Sequence, residues 1–170
     1  MLKLIFILSF LFLFAACTST ARYKAIKNSR QNQSQSQDQN HSQKQSHSRN
    51  NTQLQNYIQN WIGVPYKYGG VSKRGIDCSG FTFTVFNEVY DYNLPRTALD
   101  QYKSGRKVRT AQLTEGDLVF FRGVRGAGID HVGVYLEDGK FVHASTSIGV
   151  TISDLSEDYY KTRFVGACRY

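Results

Sequence analysis

Apolar residues first recur in a regular pattern near residue 54. Leu54, Tyr57, Ile58, Trp61 and Ile62 follow helical spacing, which predicts a short amphipathic helix with Thr52 as a candidate cap. Residues 63–70 carry Gly and Pro punctuation and read as an irregular loop. Asp77 can then cap a helix over 78–90 whose inner face is Phe81, Val85 and Val89. Leu94-Pro95-Arg96-Thr97 breaks that helix and starts a shorter one near 97–104. After Gly116 the pattern changes to strands, over 118–121, 131–136, 141–145, 150–153 and 163–168. Helices followed by strands predict an α+β domain rather than alternating βαβ units. The stretch from 54 to 170, roughly 115 residues, is enough for one domain with its own core.

Alternation along the second and third of these strands predicts how they pair. Val132, Val134 and Leu136 share one face of the first, and His131, Gly133 and Tyr135 share the other. On the return strand Val142 and Ala144 oppose Phe141, His143 and Ser145. A two-residue Asp138-Gly139 loop would pair residues whose numbers sum to 277 and put the two histidines on opposite faces. A three-residue loop gives an even sum, such as 276, and puts both on one face. The expectation is three loop residues with Gly139 at positive φ. The valine face then packs on a barrel core, and the histidine face turns toward the helix that begins at Cys78.

The N-terminal third has another character. Leu4 to Ala16 is an apolar run broken by Ser9 and preceded by Lys3, too short to span a bilayer but of the length of an export signal. Ala15-Ala16-Cys17 resembles the lipobox of bacterial lipoproteins, with Phe14 where Leu is usual. That resemblance implies a signal peptide over 1–16, a lipidated N-terminus at Cys17 running through 17–30, and a membrane anchor (palmitate included). Thr18 in place of Asp implies the outer membrane, facing the periplasm. In residues 31–53, 17 of 23 positions are Gln, Asn or Ser, so nothing there can build a core, and a disordered tether is expected. His41 and His47 read as solvated parts of it. The net charge of +8 falls by one when Lys3 is removed. The export signal argues against nucleic acid, and an acidic wall polymer or anionic lipid is the better match for a basic surface.

Three cysteines without C-x-x-C spacing exclude a disulfide scaffold and a thiolate metal site, and no metal or cofactor is expected. Cys78 stands at a predicted helix start, where the dipole and free N–H groups favour thiolate. His131 and His143 are the only histidines between 54 and 170. One imidazole can activate a thiol and a further polar group can orient it. Asp77 and Ser79 suit either helix capping or substrate contact. Arg96 suits either a pair with Asp100 or a substrate carboxylate. Cys168 reads as a small core residue, since a disulfide to Cys78 would abolish the nucleophile.

Six strings occur in order across 54–170: Gly63-Val64-Pro65-Tyr66-Lys67-Tyr68-Gly69-Gly70, Gly75-Ile76-Asp77-Cys78-Ser79-Gly80-Phe81, Leu94-Pro95-Arg96, Gly116-Asp117-Leu118-Val119-Phe120-Phe121, Asp130-His131-Val132-Gly133-Val134-Tyr135 and Phe141-Val142-His143-Ala144-Ser145. They resemble the NlpC-type cell-wall cysteine peptidases, and within that family the lipid-anchored murein endopeptidases of Gram-negative bacteria. The resemblance implies a papain-like α+β fold, with N-terminal helices packed on an antiparallel sheet of five to six strands. It implies that Cys78 is the nucleophile, His131 its base, His143 the group that orients the base, and Tyr66 an oxyanion donor, with Tyr68 the alternative if the loop is shifted. The substrate class it implies is the peptidoglycan stem peptide, cut between γ-linked D-glutamate and meso-diaminopimelate by a monomer. A wall-binding lipoprotein without activity, and an amidase or acyltransferase on the same scaffold, are the rival readings.

Overall fold

The computed structural model describes residues 53–123 and 128–170, all within the unit Ser48–Tyr170. The signal segment, Cys17, His41, His47, Thr52 and the tether up to residue 52 lie outside the described residues. In chain order the elements are helix α1 (53–59), β1 (Val71–Ser72), β2 (Gly75–Ile76), α2 (Cys78–Tyr90), α3 (Ala98–Ser104), β3 (Arg106–Val108), a 3-10 turn (Thr110–Gln112), β4 (Leu118–Arg122), β5 (Ile129–Tyr135), β6 (Lys140–Ser145), β7 (Gly149–Asp154), α4 (Asp158–Lys161) and β8 (Phe164–Arg169). Gln53, expected in the tether, already belongs to α1, and its side-chain amide donates to the Glu88 carbonyl at 3.3 Å.

Six strands form one antiparallel sheet in the order β3-β8-β4-β5-β6-β7. The sheet is open, edged by β3 and β7, where a barrel core was expected. One face carries Leu118, Phe120, Val132, Val134, Val142, Ala144 and Cys168, and packs against Leu54, Ile58, Phe81, Val85 and Val89 of the helices. The opposite face carries Val119, Phe121, Phe141 and Ala167, covered by Leu113, Tyr135, Leu155, Tyr160 and Phe164. Burial on both sides explains why Leu118–Phe121 is apolar without alternation. Ile62 is 44% exposed, because α1 stops at residue 59 and leaves Ile62 in the turn that follows.

The hairpin register matches the expectation: Val134 opposes Val142 and Tyr135 opposes Phe141, a sum of 276. Its tip is tighter than a plain three-residue loop. Lys140 N–H donates to Glu137 O at 2.9 Å around Asp138 (φ 50) and Gly139 (φ 80), the backbone of a type I′ turn. Leu136 N–H donates to Lys140 O at 2.9 Å, so Leu136 and Glu137 together oppose one residue. That bulge restores the even sum.

Helices α2 and α3 are joined by buried polar contacts. Thr82 Oγ1 donates to Gln101 Oε1 at 2.8 Å, and Gln101 Nε2 donates to Pro95 O at 2.8 Å and Ser79 O at 3.2 Å. Gln101 is fully enclosed, so each of these bonds replaces one to water that folding removes.

Candidate active site

Cys78 opens α2. Asp77 caps the helix by accepting from Gly80 N–H at 2.6 Å, and the apolar i, i+4, i+8 series Phe81, Val85, Val89 fastens the helix to the sheet. The helix lies on the valine face, a correction to the expectation that the histidine face turns toward it: Val132 and Val134 pack with Cys78 and Phe81, whereas both imidazoles lie among the aromatics of the other face. The reason is that valines and the helix stripe bury more apolar area together than imidazoles would. The thiol nevertheless reaches the strand at its backbone. Cys78 Sγ donates to Asp130 O at 3.7 Å and lies at the Val132 amide, so it contacts the peptide groups on both sides of His131.

Burial pushes the Cys78 thiol up to about 11, assisted by the carboxylates of Asp77 and Asp130; the Val132 and Ser79 amides oppose it. The expected thiolate is thus a thiol at rest, because only 6% of Cys78 is exposed and the helix terminus does not offset that desolvation.

Asp77 is a hub. Arg96 grips it bidentately, Nη2 to Oδ2 at 2.7 Å and Nη1 to Oδ1 at 3.0 Å, and Gly69 N–H donates to Oδ2 at 2.8 Å. Arg96 Nη1 also donates to Ser79 Oγ at 2.9 Å, and Ser79 Oγ donates to Asp77 Oδ1 at 3.2 Å. Arg96 therefore pairs with Asp77 and not with Asp100, which closes the Thr97 cap of α3 instead. Burial works against the Asp77 charge, but Arg96 and the Gly80 and Gly69 amides outweigh it and hold the carboxyl below its ordinary value. Gly80 is required for close approach, since a Cβ there would meet Gly70 O at 2.4 Å.

His131 Nε2 and His143 Nδ1 stand 2.9 Å apart with the rings edge to face. His131 has thus committed the nitrogen far from its backbone. Nδ1, the nitrogen near the backbone, is left outside that pair. His143 Nε2 lies 3.1 Å from the Tyr160 hydroxyl and 3.2 Å from Ser153 Oγ. Burial pushes His131 down to about 4; burial and the His131 charge push His143 down to about 3. Both imidazoles are neutral at pH 7.

Tyr66 lies in the loop of residues 63–70, which pairs with β2 just ahead of Cys78: Tyr66 bridges to Ile76, and Lys67 N–H donates to Ile76 O at 3.0 Å. Its hydroxyl is kept protonated by burial and by the neighbouring Cys78 and Asp77. Tyr68 is 90% exposed and projects from the loop. Two clefts meet here. One, of about 420 Å³, is bordered by Cys78, Ser79, Asp77, Arg96 and Tyr68. The other, of about 490 Å³, is bordered by His131, His143, Tyr160, Glu157 and Arg163. Tyr66 and Asp130 border both.

Cys78 thus borders one cleft with Asp77, Ser79 and Arg96, His131 and His143 border the other, and Tyr66 belongs to both. Cys168 is fully buried in β8, as expected, and also accepts from Lys107 Nζ at 3.3 Å. Among the described residues no cluster of His, Cys, Asp and Glu is arranged to hold a metal. The sequence reading missed Asp130, Ser153 and Tyr160. Ser153 was accessible in principle, since Thr151 and Ser153 alternate with Val150 and Ile152 and so mark a polar strand face. Tyr160 rides a four-residue helix too short for any period.

The NlpC/P60 family model matches residues 63–169. A probable endopeptidase NlpC homolog of Haemophilus influenzae is 45% identical over 116 residues, 68% of this chain and 61% of that protein. The murein DD-endopeptidase MepS/murein LD-carboxypeptidase of Escherichia coli is 43% identical over 118 residues, 69% of this chain and 62% of that protein. The chain thus spans about six-tenths of the length of these relatives. A crystal structure of an NlpC/P60 family protein from Bacillus cereus superposes with a TM-score of 0.65 at 34% identity, over 71% of this chain and 40% of that one. The six ordered strings, the helix-on-sheet architecture and the match over residues 63–169 lead to one assignment: the chain belongs to the NlpC/P60 family.

Proposed function

We propose that the domain is a cysteine peptidase that hydrolyses an amide bond of peptidoglycan stem peptides. The observation that supports it most is the placement of the Cys78 thiol against the peptide groups flanking His131, whose far nitrogen is engaged by His143. In this reading the resting pair is uncharged. As sulfur attacks the carbonyl carbon, His131 Nδ1 takes the thiol proton, so the charged pair forms only with substrate in place. The oxyanion is met by the Cys78 backbone N–H at the helix start and by the Tyr66 hydroxyl. His131 then protonates the leaving amine. A water attacks the thioester with His131 as base, releasing a carboxylate and restoring the thiol.

The leaving amine must lie beside His131, so the imidazole cleft takes the leaving-group side and the Cys78 cleft the acyl side. Ser79 and Arg96 then form the acyl-side wall, with Asp77 holding both in place. The γ-D-glutamyl–meso-diaminopimelate bond is the cleavage point implied by the sequence resemblance. The E. coli relative, a murein DD-endopeptidase/LD-carboxypeptidase, points to a D,D cross-link instead. Digestion of purified peptidoglycan by wild type and Cys78→Ala, with mass analysis of the fragments, decides both questions. Wild type is expected to release stem fragments at least about 10³-fold faster than Cys78→Ala, and equal patterns would overturn the proposal. Fragments ending at γ-D-glutamate support the first bond, and dimers resolved to monomers the second.

We further propose lipid attachment at Cys17, which would tether the domain to the outer membrane through residues 31–52. Incorporation of labelled palmitate that is lost in Cys17→Ser is the expected result; unchanged labelling refutes it.

A further inference from the structure

The imidazole pair does not end at His143. Nε2 of His143 faces two oxygens, the Tyr160 hydroxyl at 3.1 Å and Ser153 Oγ at 3.2 Å, and Ser153 Oγ donates to the Tyr160 oxygen at 3.4 Å. Three elements deliver these groups: β6 brings His143, β7 Ser153 and α4 Tyr160. The Tyr160 ring is fixed between Phe121 and Phe141, so its hydroxyl is positioned by packing.

Only two proton arrangements satisfy such a chain. In one, His143 Nε2–H donates to the two oxygens, His143 Nδ1 accepts from His131 Nε2–H, and His131 Nδ1 keeps a lone pair. In the other, Tyr160 O–H donates to His143 Nε2, His143 Nδ1–H donates to His131 Nε2, and His131 Nδ1 carries a hydrogen. The first presents a base to the thiol and the second a donor, which cannot take the thiol proton. A hydroxyl can do either, but the Ser153 proton is already directed at the Tyr160 oxygen. Tyr160 also borders the imidazole cleft, where its own proton can turn to water.

We propose that Ser153 and Tyr160 are positioning residues that act as paired acceptors for His143, lock both imidazoles as Nε2–H tautomers, and so keep His131 Nδ1 open as the base. The proposal rests on the peptidase reading above. Neither residue touches the reacting atoms. Each backs up the other, so either single loss is partly compensated.

The test joins spectroscopy and kinetics on the full chain. With ¹⁵N-labelled histidine, two-bond nitrogen–proton correlations at pH 7.5 report the tautomer directly, assigned through His131→Gln and His143→Gln. Wild type is expected to show Nε2–H at both residues. In Tyr160→Phe/Ser153→Ala, His143 is expected to lose that preference. Either single substitution is expected to lower kcat by only about 3-fold and the pair by about 10²-fold, at the low end for a positioned general base, with KM within about 2-fold. A hydrogen on Nδ1 of His131 in wild type overturns the proposal. A double variant with wild-type kcat, or a loss carried entirely in KM, does so too. Activity retained in Cys78→Ala overturns the peptidase reading instead, and the spectra then decide the tautomers by themselves.

Discussion

The two buried imidazoles make the fold acid-sensitive in a defined window. In the unfolded chain a histidine takes its proton near pH 6.5, whereas in the fold His131 does so only near 4 and His143 only near 3. Below pH 6.5 the unfolded state binds more protons, so stability is complete above that pH and is lost as pH falls toward 4. The loss at pH 5 is set almost wholly by the unfolded value, and comes to about 2 kcal/mol per histidine, about 4 kcal/mol together. At pH 6 the pair costs about 2 kcal/mol. Against a net stability of roughly 5–15 kcal/mol for a domain, that is a large fraction. Asp130 is pushed up by burial and acts in the opposite direction only near carboxylate pH, so the interval from pH 8 to 5 isolates the imidazoles. Urea unfolding at pH 8, 6 and 5, followed by fluorescence of Trp61, the single tryptophan and 6% exposed, measures the effect. The His131→Gln/His143→Gln variant should lose most of the pH slope. A wild-type slope indistinguishable from that variant refutes the burial argument.

Two further outcomes follow from close packing around the site. A Cβ at Gly133 would stand 2.7 Å from Phe141 Cδ2 and 3.1 Å from His143 Cβ, so Gly133→Ala should cost about 1–3 kcal/mol in urea unfolding and shift the His143 ring resonances, and unchanged spectra would contradict it. Asp77→Ala removes the cap of α2 and leaves Arg96 unpaired, for a loss of about 3 kcal/mol discounted for the 40% exposure of the Arg96 side chain, and a loss under about 1 kcal/mol in thermal unfolding would show that Asp77 is no hub.

Most of this architecture could be read from the chain because its elements are long enough to show a period. Helix α2 runs from Cys78 to Tyr90, and its boundaries follow from Asp77 and the valine stripe. The five strands from β4 onward lie within two residues of their expected limits at each end. What escaped was short: β1 and β2 have two residues each, β3 three and α4 four, too few for a repeat to show. The candidate site was legible where residue chemistry is rare, as in one cysteine and two histidines. It was illegible where a common residue acquires meaning from its neighbours. Arg96 found Asp77, 19 positions away, because both line one wall. The charge state of Cys78 was misjudged for a related reason: a helix start can be recognised locally, but enclosure by β5 cannot.

Glu137 acts as a phase-setter for the site. Because successive side chains on a strand point in opposite directions, the single residue left over at the β5–β6 turn decides whether two imidazoles twelve positions apart meet or are separated by the sheet. Hairpins of this design can therefore lengthen or shorten by even numbers without harm, while any odd change, however small and however far from the sulfur, would disconnect His143 from His131.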